Sequence, residues 1–132
     1  MTGIFEIEPL KVRGQFCLLA FKYYSEHYGG VLPQDLLSHI FVNQTIHSFR
    51  FNDLLYYSCK AYSELTDELF DYNYKKFSND CAKINQDEIT QLINKLWEAE
   101  MLGSTILEIM KKGIEVEAKK KRQPLKKSTA QV

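Results

Sequence analysis

Cysteine is scarce in this chain. Cys17, Cys59 and Cys81 are far apart and odd in number, which excludes a disulfide framework, and no C-x-x-C spacing points to zinc. A chain of 132 residues can bury one real core without such staples. Each cysteine is therefore expected to act as a small apolar residue in a reducing compartment. Long apolar runs are missing too. The longest uncharged stretch, Leu36 to Phe49, holds two His, two Ser, Asn, Gln and Thr. It falls short of the roughly 18 apolar residues that a spanning helix needs. The first residues, MTGIFEIEPLKVRG, carry acids early and no basic segment ahead of an apolar one. That is not a signal-peptide pattern, and a cytoplasmic location is expected. In that setting the match of Asn43-Gln44-Thr45 to a glycosylation acceptor is taken as chance.

Catalytic signatures are absent as well. The sequence contains no Gly-rich phosphate loop, no G-x-S-x-G elbow and no H-E-x-x-H. His27, His39 and His47 show no i, i+4 spacing that would share a metal on one helix face. None of the cysteines has His or Arg beside it in sequence to activate a thiolate. Glu64, Glu68 and Asp71 fall on one helical face, but no His follows at the spacing of a Glu-x-x-His metal motif. They are expected to form a solvated acidic face, or a docking site for something basic. No enzyme activity, metal or cofactor is expected.

What is present is an ordinary globular composition, 45% hydrophobic and 26% charged, which excludes disorder of the whole chain. The zero net charge hides an asymmetry. Residues 1–110 carry 9 basic and 15 acidic side chains, net −6, and residues 111–132 carry 8 basic and 2 acidic ones, net +6. The expected organisation is an acidic helical domain over 1–112 and a basic, partly disordered extension over 113–132.

The expected fold is all-α, a small bundle of about four helices with a long C-terminal helix and a basic tail. Residues 1–8 alternate weakly and suit a short extended arm. Pro9 suits a helix start, Val12, Phe16, Leu19, Ala20 and Tyr23 follow helical spacing, and Gly29-Gly30 supplies the stop. The first helix is therefore predicted over 9–28. Pro33 opens a second helix ending near 41–43, and residues 45–51 alternate like a short strand. Asn52 or Asp53 caps a third helix over 53–70. Asn85 to Glu88 reads as a capping box, followed by a heptad seam of Ile89, Leu92, Leu96, Ala99, Gly103, Ile106 and Met110. One helix is predicted over 86 to about 112. The expected core is Phe16, Leu19, Leu36, Ile40, Leu55, Leu65, Ile89, Leu92 and Leu96.

Aromatic residues make up 13% of the chain, many in clusters such as Tyr23-Tyr24, Tyr56-Tyr57 and Phe70 to Phe77. Adjacent rings cannot all share one buried stripe, so some are expected at a surface. These features point to a non-enzymatic helical interaction protein, a small adaptor or regulatory subunit that binds a protein partner or itself. Its expected interface is Leu96, Trp97, Gly103, Ile106 and Met110 on the last helix. The alternative is a nucleic-acid-associated regulator, with Lys119, Lys120, Lys121, Arg122, Lys126 and Lys127 gripping phosphates or docking on an acidic surface. Neither reading involves a membrane or a small-molecule substrate.

Overall fold

The structure, a computed structural model, describes residues 2–112. The fold is mostly helical, but it carries three small antiparallel sheets, which corrects the expectation of an all-α four-helix bundle. The chain opens with β1 (Ile4–Ile7), a 3-10 turn (Glu8–Leu10) and β2 (Val12–Gln15). The two strands pair Ile4 with Gln15 through Ile7 with Val12. Pro9 does begin a helical turn, but Lys11 turns left-handed (φ 54°) and reverses the chain. Gly14, a poor helix residue, is needed in β2 for another reason. A Cβ there would stand 2.4 Å from the Phe5 ring and 3.0 Å from the Cys59 backbone nitrogen.

The first true helix, α1 (Leu18–His27), is therefore half the predicted length, and its end at Gly29-Gly30 is as expected, both glycines having positive φ. After a 3-10 turn at Pro33–Asp35 come α2 (Leu36–Ile40) and a hairpin of β3 (Phe41–Val42) and β4 (Thr45–Ile46). The strand-like stretch 45–51 is thus strand only at its first two residues, because His47 caps α3 (Ser48–Thr66) and accepts a hydrogen bond from Arg50 N–H at 3.4 Å.

α3 is the spine. Phe51, Leu54, Leu55, Ser58, Cys59 and Tyr62 recur at helical spacing and are buried. Asp67 ends the helix in the left-handed conformation, before the predicted limit of 70, and this leaves Leu65 and Leu69 exposed. α4 (Tyr74–Asp80) follows, and then α5 (Gln86–Glu98), which starts at the expected capping box with Asn85 and Glu88 each bonded to the other's backbone.

The predicted long helix stops at Glu98. A hairpin of β5 (Glu100–Met101) and β6 (Ser104–Thr105) interrupts it, and a further helix, α6, takes up the described residues 106–112. Gly103 and the hydroxyl pair Ser104-Thr105 are weak helix formers, and they supply turn and strand instead. The heptad spacing survives only as shared burial. Leu92, Leu96, Ala99 and Ile106 all enter one core with Phe5, Ile7, Phe16 and Phe51. Of the expected core, Leu19 and Ile89 are half-buried and Leu65 is exposed, while the other six are buried.

Candidate functional site

Titratable groups converge in one place, around Asp53 in the second turn of α3. Its neighbours in the stripe are apolar, and the side chain is nearly buried. Tyr28, just past the end of α1, donates its phenolic proton to one carboxylate oxygen, and Tyr74, the first residue of α4, donates to the other at 2.7 Å. His27 places Nε2 3.7 Å from the same carboxylate and Nδ1 2.8 Å from the Tyr57 hydroxyl. A second pair lies beside it. The Tyr24 hydroxyl meets His39 Nδ1 at 2.6 Å, and Arg50 holds the His39 carbonyl at 2.8 Å. The rings of Tyr24, His27, Tyr28, His39, Tyr57 and Tyr74 are in mutual contact, mostly tilted or edge-on.

Burial, followed by the hydrogen bond to Asp53, pushes the Tyr74 phenol up to about 12 and raises Tyr28 further. Burial also raises Tyr24 and Tyr57. These phenols stay protonated and donate. General acid–base work needs a group poised near the working pH, and these groups are shifted away from it. Two phenols on one carboxylate instead make a joint that ties α1 and α4 to α3, with every hydrogen bond inside the protein. The thiols are shifted in the same direction. Burial pushes Cys81 up to about 12 and raises Cys59 and Cys17. Among the described residues, no cluster of His, Cys, Asp and Glu is placed to hold a metal.

The residues singled out in the sequence scatter. Leu96 and Ile106 are core residues, buried in the chain's own interior. Trp97 is half-buried and stacks on Phe41 at 5.4 Å, Met110 is half-buried on α6, and Gly103 is exposed at a hairpin tip. Because the hairpin separates α5 from α6, the five do not form one helical stripe. The acidic face is also divided. Glu64 accepts from Tyr23, Glu68 faces Arg13 at 3.9 Å, and Asp71 follows the end of α3. Lys119, Lys120, Lys121, Arg122, Lys126 and Lys127 lie outside the described residues.

Sequence reasoning passed over two residues. Asp53 was read only as a cap. The signal was an acid flanked by buried positions on a helix rich in tyrosine neighbours. The second is Leu102. With Gly103 it forms the two-residue turn of the β5–β6 hairpin, at φ 54° and 85°. Two positive φ values make a type I′ turn, whose first position ordinarily holds Asn, Asp or Gly. A leucine there is costly, and its side chain is 74% exposed. Its neighbour Met101 lines a hollow of about 330 Å³ between α1, the 31–36 segment and β5, whose walls are otherwise apolar at Leu18, Phe21, Val31, Pro33 and Leu36 and polar at Lys22, Ser25 and Glu26. Leu18, one of the lining residues, is 56% exposed, and Leu32, in the 31–36 segment, is 54% exposed.

No family model, curated protein or solved structure matches this chain. Among the described residues, no helix is long and apolar enough to cross a membrane.

Proposed function

We propose that the chain is a non-enzymatic interaction module that binds protein, beginning with a second copy of itself, through the hollow lined by Leu18 and Met101 and the adjoining turn at Leu102. The observation that carries this reading is Leu102. A large apolar side chain is held in solvent, in a backbone conformation that disfavours it, next to a residue that lines a mostly apolar hollow. Local strain kept at an exposed loop tip is a mark of function rather than of stability. Leu18, exposed in the wall of that hollow, adds apolar surface of the kind that interfaces use.

Sedimentation of the full chain at roughly 100 µM should show a dimer. Leu102→Asn, which suits the turn, and Leu18→Glu, at the exposed start of α1, should each weaken it about tenfold or more. A wild-type chain that sediments as a monomer at that concentration refutes self-association through this surface. The second reading, nucleic-acid contact through the basic residues of 111–132, is supported by the net +6 charge of that segment.

A further inference from the structure

The β1–β2 ribbon is a two-stranded sheet, so one edge of β1 borders something other than a strand. Which backbone groups face that edge follows from the register. Phe16 N–H donates to the Gly3 carbonyl at 2.9 Å, which continues the ladder beyond Ile4–Gln15. Antiparallel pairs alternate between those that exchange hydrogen bonds and those that do not. Phe5–Gly14 and Ile7–Val12 are therefore the bonded pairs, and the N–H and C=O groups of Ile4 and Glu6 turn outward. Among the described residues, neither takes a backbone hydrogen bond from another element.

Along that edge runs a hollow of about 620 Å³. Its lining is the continuous backbone from Phe5 to Pro9 on one side, and Glu88, Gln91, Leu92 and Lys95 of α5 on the other. The α5 residues are spaced i, i+3, i+4, i+7, one face of a helix. Leu92, buried with Phe5 and Ile7, forms the apolar floor. A groove between an open strand edge and a helix is the geometry that accepts an extended peptide as an added strand.

The charge of the rim selects the occupant. Glu6, Glu8 and Glu88 border the groove against one cation, Lys95, and Lys95 already faces Glu98 at 3.6 Å. Arg13, across the ladder from Glu6, is turned to Glu68. We propose that the groove between β1 and α5 binds an extended segment of a partner protein that alternates basic and apolar residues. Its backbone pairs with Ile4 and Glu6, its apolar side chains reach the floor at Leu92, and its cations reach Glu6 and Glu8. The proposal rests on the reading that the chain works by binding protein, but it uses a surface separate from the Leu102 hollow. Leu102→Asn leaves the groove intact, so the two can fail separately.

The test uses the full chain and a fluorescein-labelled seven-residue peptide alternating lysine and valine, followed by anisotropy and by the amide resonance of Glu6. Binding is expected, with the Glu6 amide shifting, and with at least about tenfold loss for a glutamate–valine peptide or one N-methylated at alternate residues. Glu6→Pro removes an outward N–H that the ladder does not use, and proline is tolerated at such edge positions. It should abolish pairing. Gln91→Trp fills the groove from the exposed face of α5 and should do the same without touching β1. Absence of wild-type binding overturns the proposal, as does binding unchanged by both Glu6→Pro and Gln91→Trp. If the peptide binds only after residues 113–132 are removed, the occupant is the chain's own basic segment, and a partner's strand is ruled out.

Discussion

Tyr74 and Asp53, 21 residues apart in sequence, meet through a phenol that donates to a carboxylate at 2.7 Å. With Tyr28 on the other oxygen, this bond holds the start of α4 and the end of α1 against one turn of α3. Asp53→Ala leaves two phenols without their acceptor and should cost about 2–4 kcal/mol in urea unfolding. Asp53→Asn keeps one acceptor oxygen and should lose about half as much. A loss below about 0.5 kcal/mol for the alanine variant would mean that the joint contributes nothing to holding the helices together.

Gly14 is where β2 touches α3. Gly14→Ala drives a methyl group into the Phe5 ring and the Cys59 backbone, an overpacking that should cost about 1–3 kcal/mol. The same change at Gly103, where nothing lies within 4 Å of an added Cβ, strains only the backbone. Thermal melts of the two variants, side by side, separate the steric cost from the conformational one.

The turn at Leu102 predicts a trade between stability and association. Leu102→Asn should raise the folded state's stability by roughly 1 kcal/mol, because asparagine takes the left-handed conformation more readily. The same variant should lose self-association. A gain in melting temperature with undiminished dimer formation would separate the strain from any role in binding.

His39 supplies a pH dependence. Its burial, with Arg50 and then His47 nearby, lowers its pKa from the ordinary 6.5. The folded state thus prefers the neutral ring, whose Nδ1 can accept from the Tyr24 hydroxyl. Stability from this source is complete above pH 6.5 and is lost as the pH falls through the lowered value. Melting temperatures between about pH 7.5 and 5 should decline more steeply for the wild type than for His39→Gln. Parallel curves for the two would dismiss this histidine as the cause.

For the basic residues beyond 111, a salt titration of duplex DNA binding is decisive. If they grip phosphates, removing residues 113–132 should abolish a binding whose affinity falls by orders of magnitude between about 50 and 200 mM salt. Equal binding with and without them refutes the nucleic-acid reading.

Much of the architecture was legible where a local rule and the tertiary context agree. Asn85 and Glu88 form the capping box that their spacing implies, the Gly29-Gly30 stop holds, and the third helix expected over 53–70 is found as α3, over Ser48–Thr66. The failures share one cause. A residue spacing of 3 and 4 does not distinguish one helix from two elements that fold back onto the same core. Val12 and Phe16 match a helix by number, yet they lie at either end of a strand and its exit. Ala99 and Ile106 match the heptad, yet they close a hairpin through the 2.8 Å bond from Ile106 N–H to the Ala99 carbonyl. The glycines at 14 and 103 were the local dissent. The Asp53 joint was invisible for a different reason. The joint brings together three separate helical segments, α1, α3 and α4, and sequence spacing says nothing about which segments will be neighbours.

The interior position of the thiols has a use beyond packing. Cys59 lies on the spine and Cys81 at the end of α4, both buried, whereas Cys17 is half-buried at the start of α1. An alkylating reagent can reach the first two only when those segments part, and the protonated sulfurs do not react until they do. Each molecule therefore carries its own clock. The labelling rate of Cys59 reports global opening, and that of Cys81 reports opening at the end of α4, while half-buried Cys17 labels without either. One quench experiment on unmodified protein would then show whether the end of α4 opens as an independent unit or only with the spine.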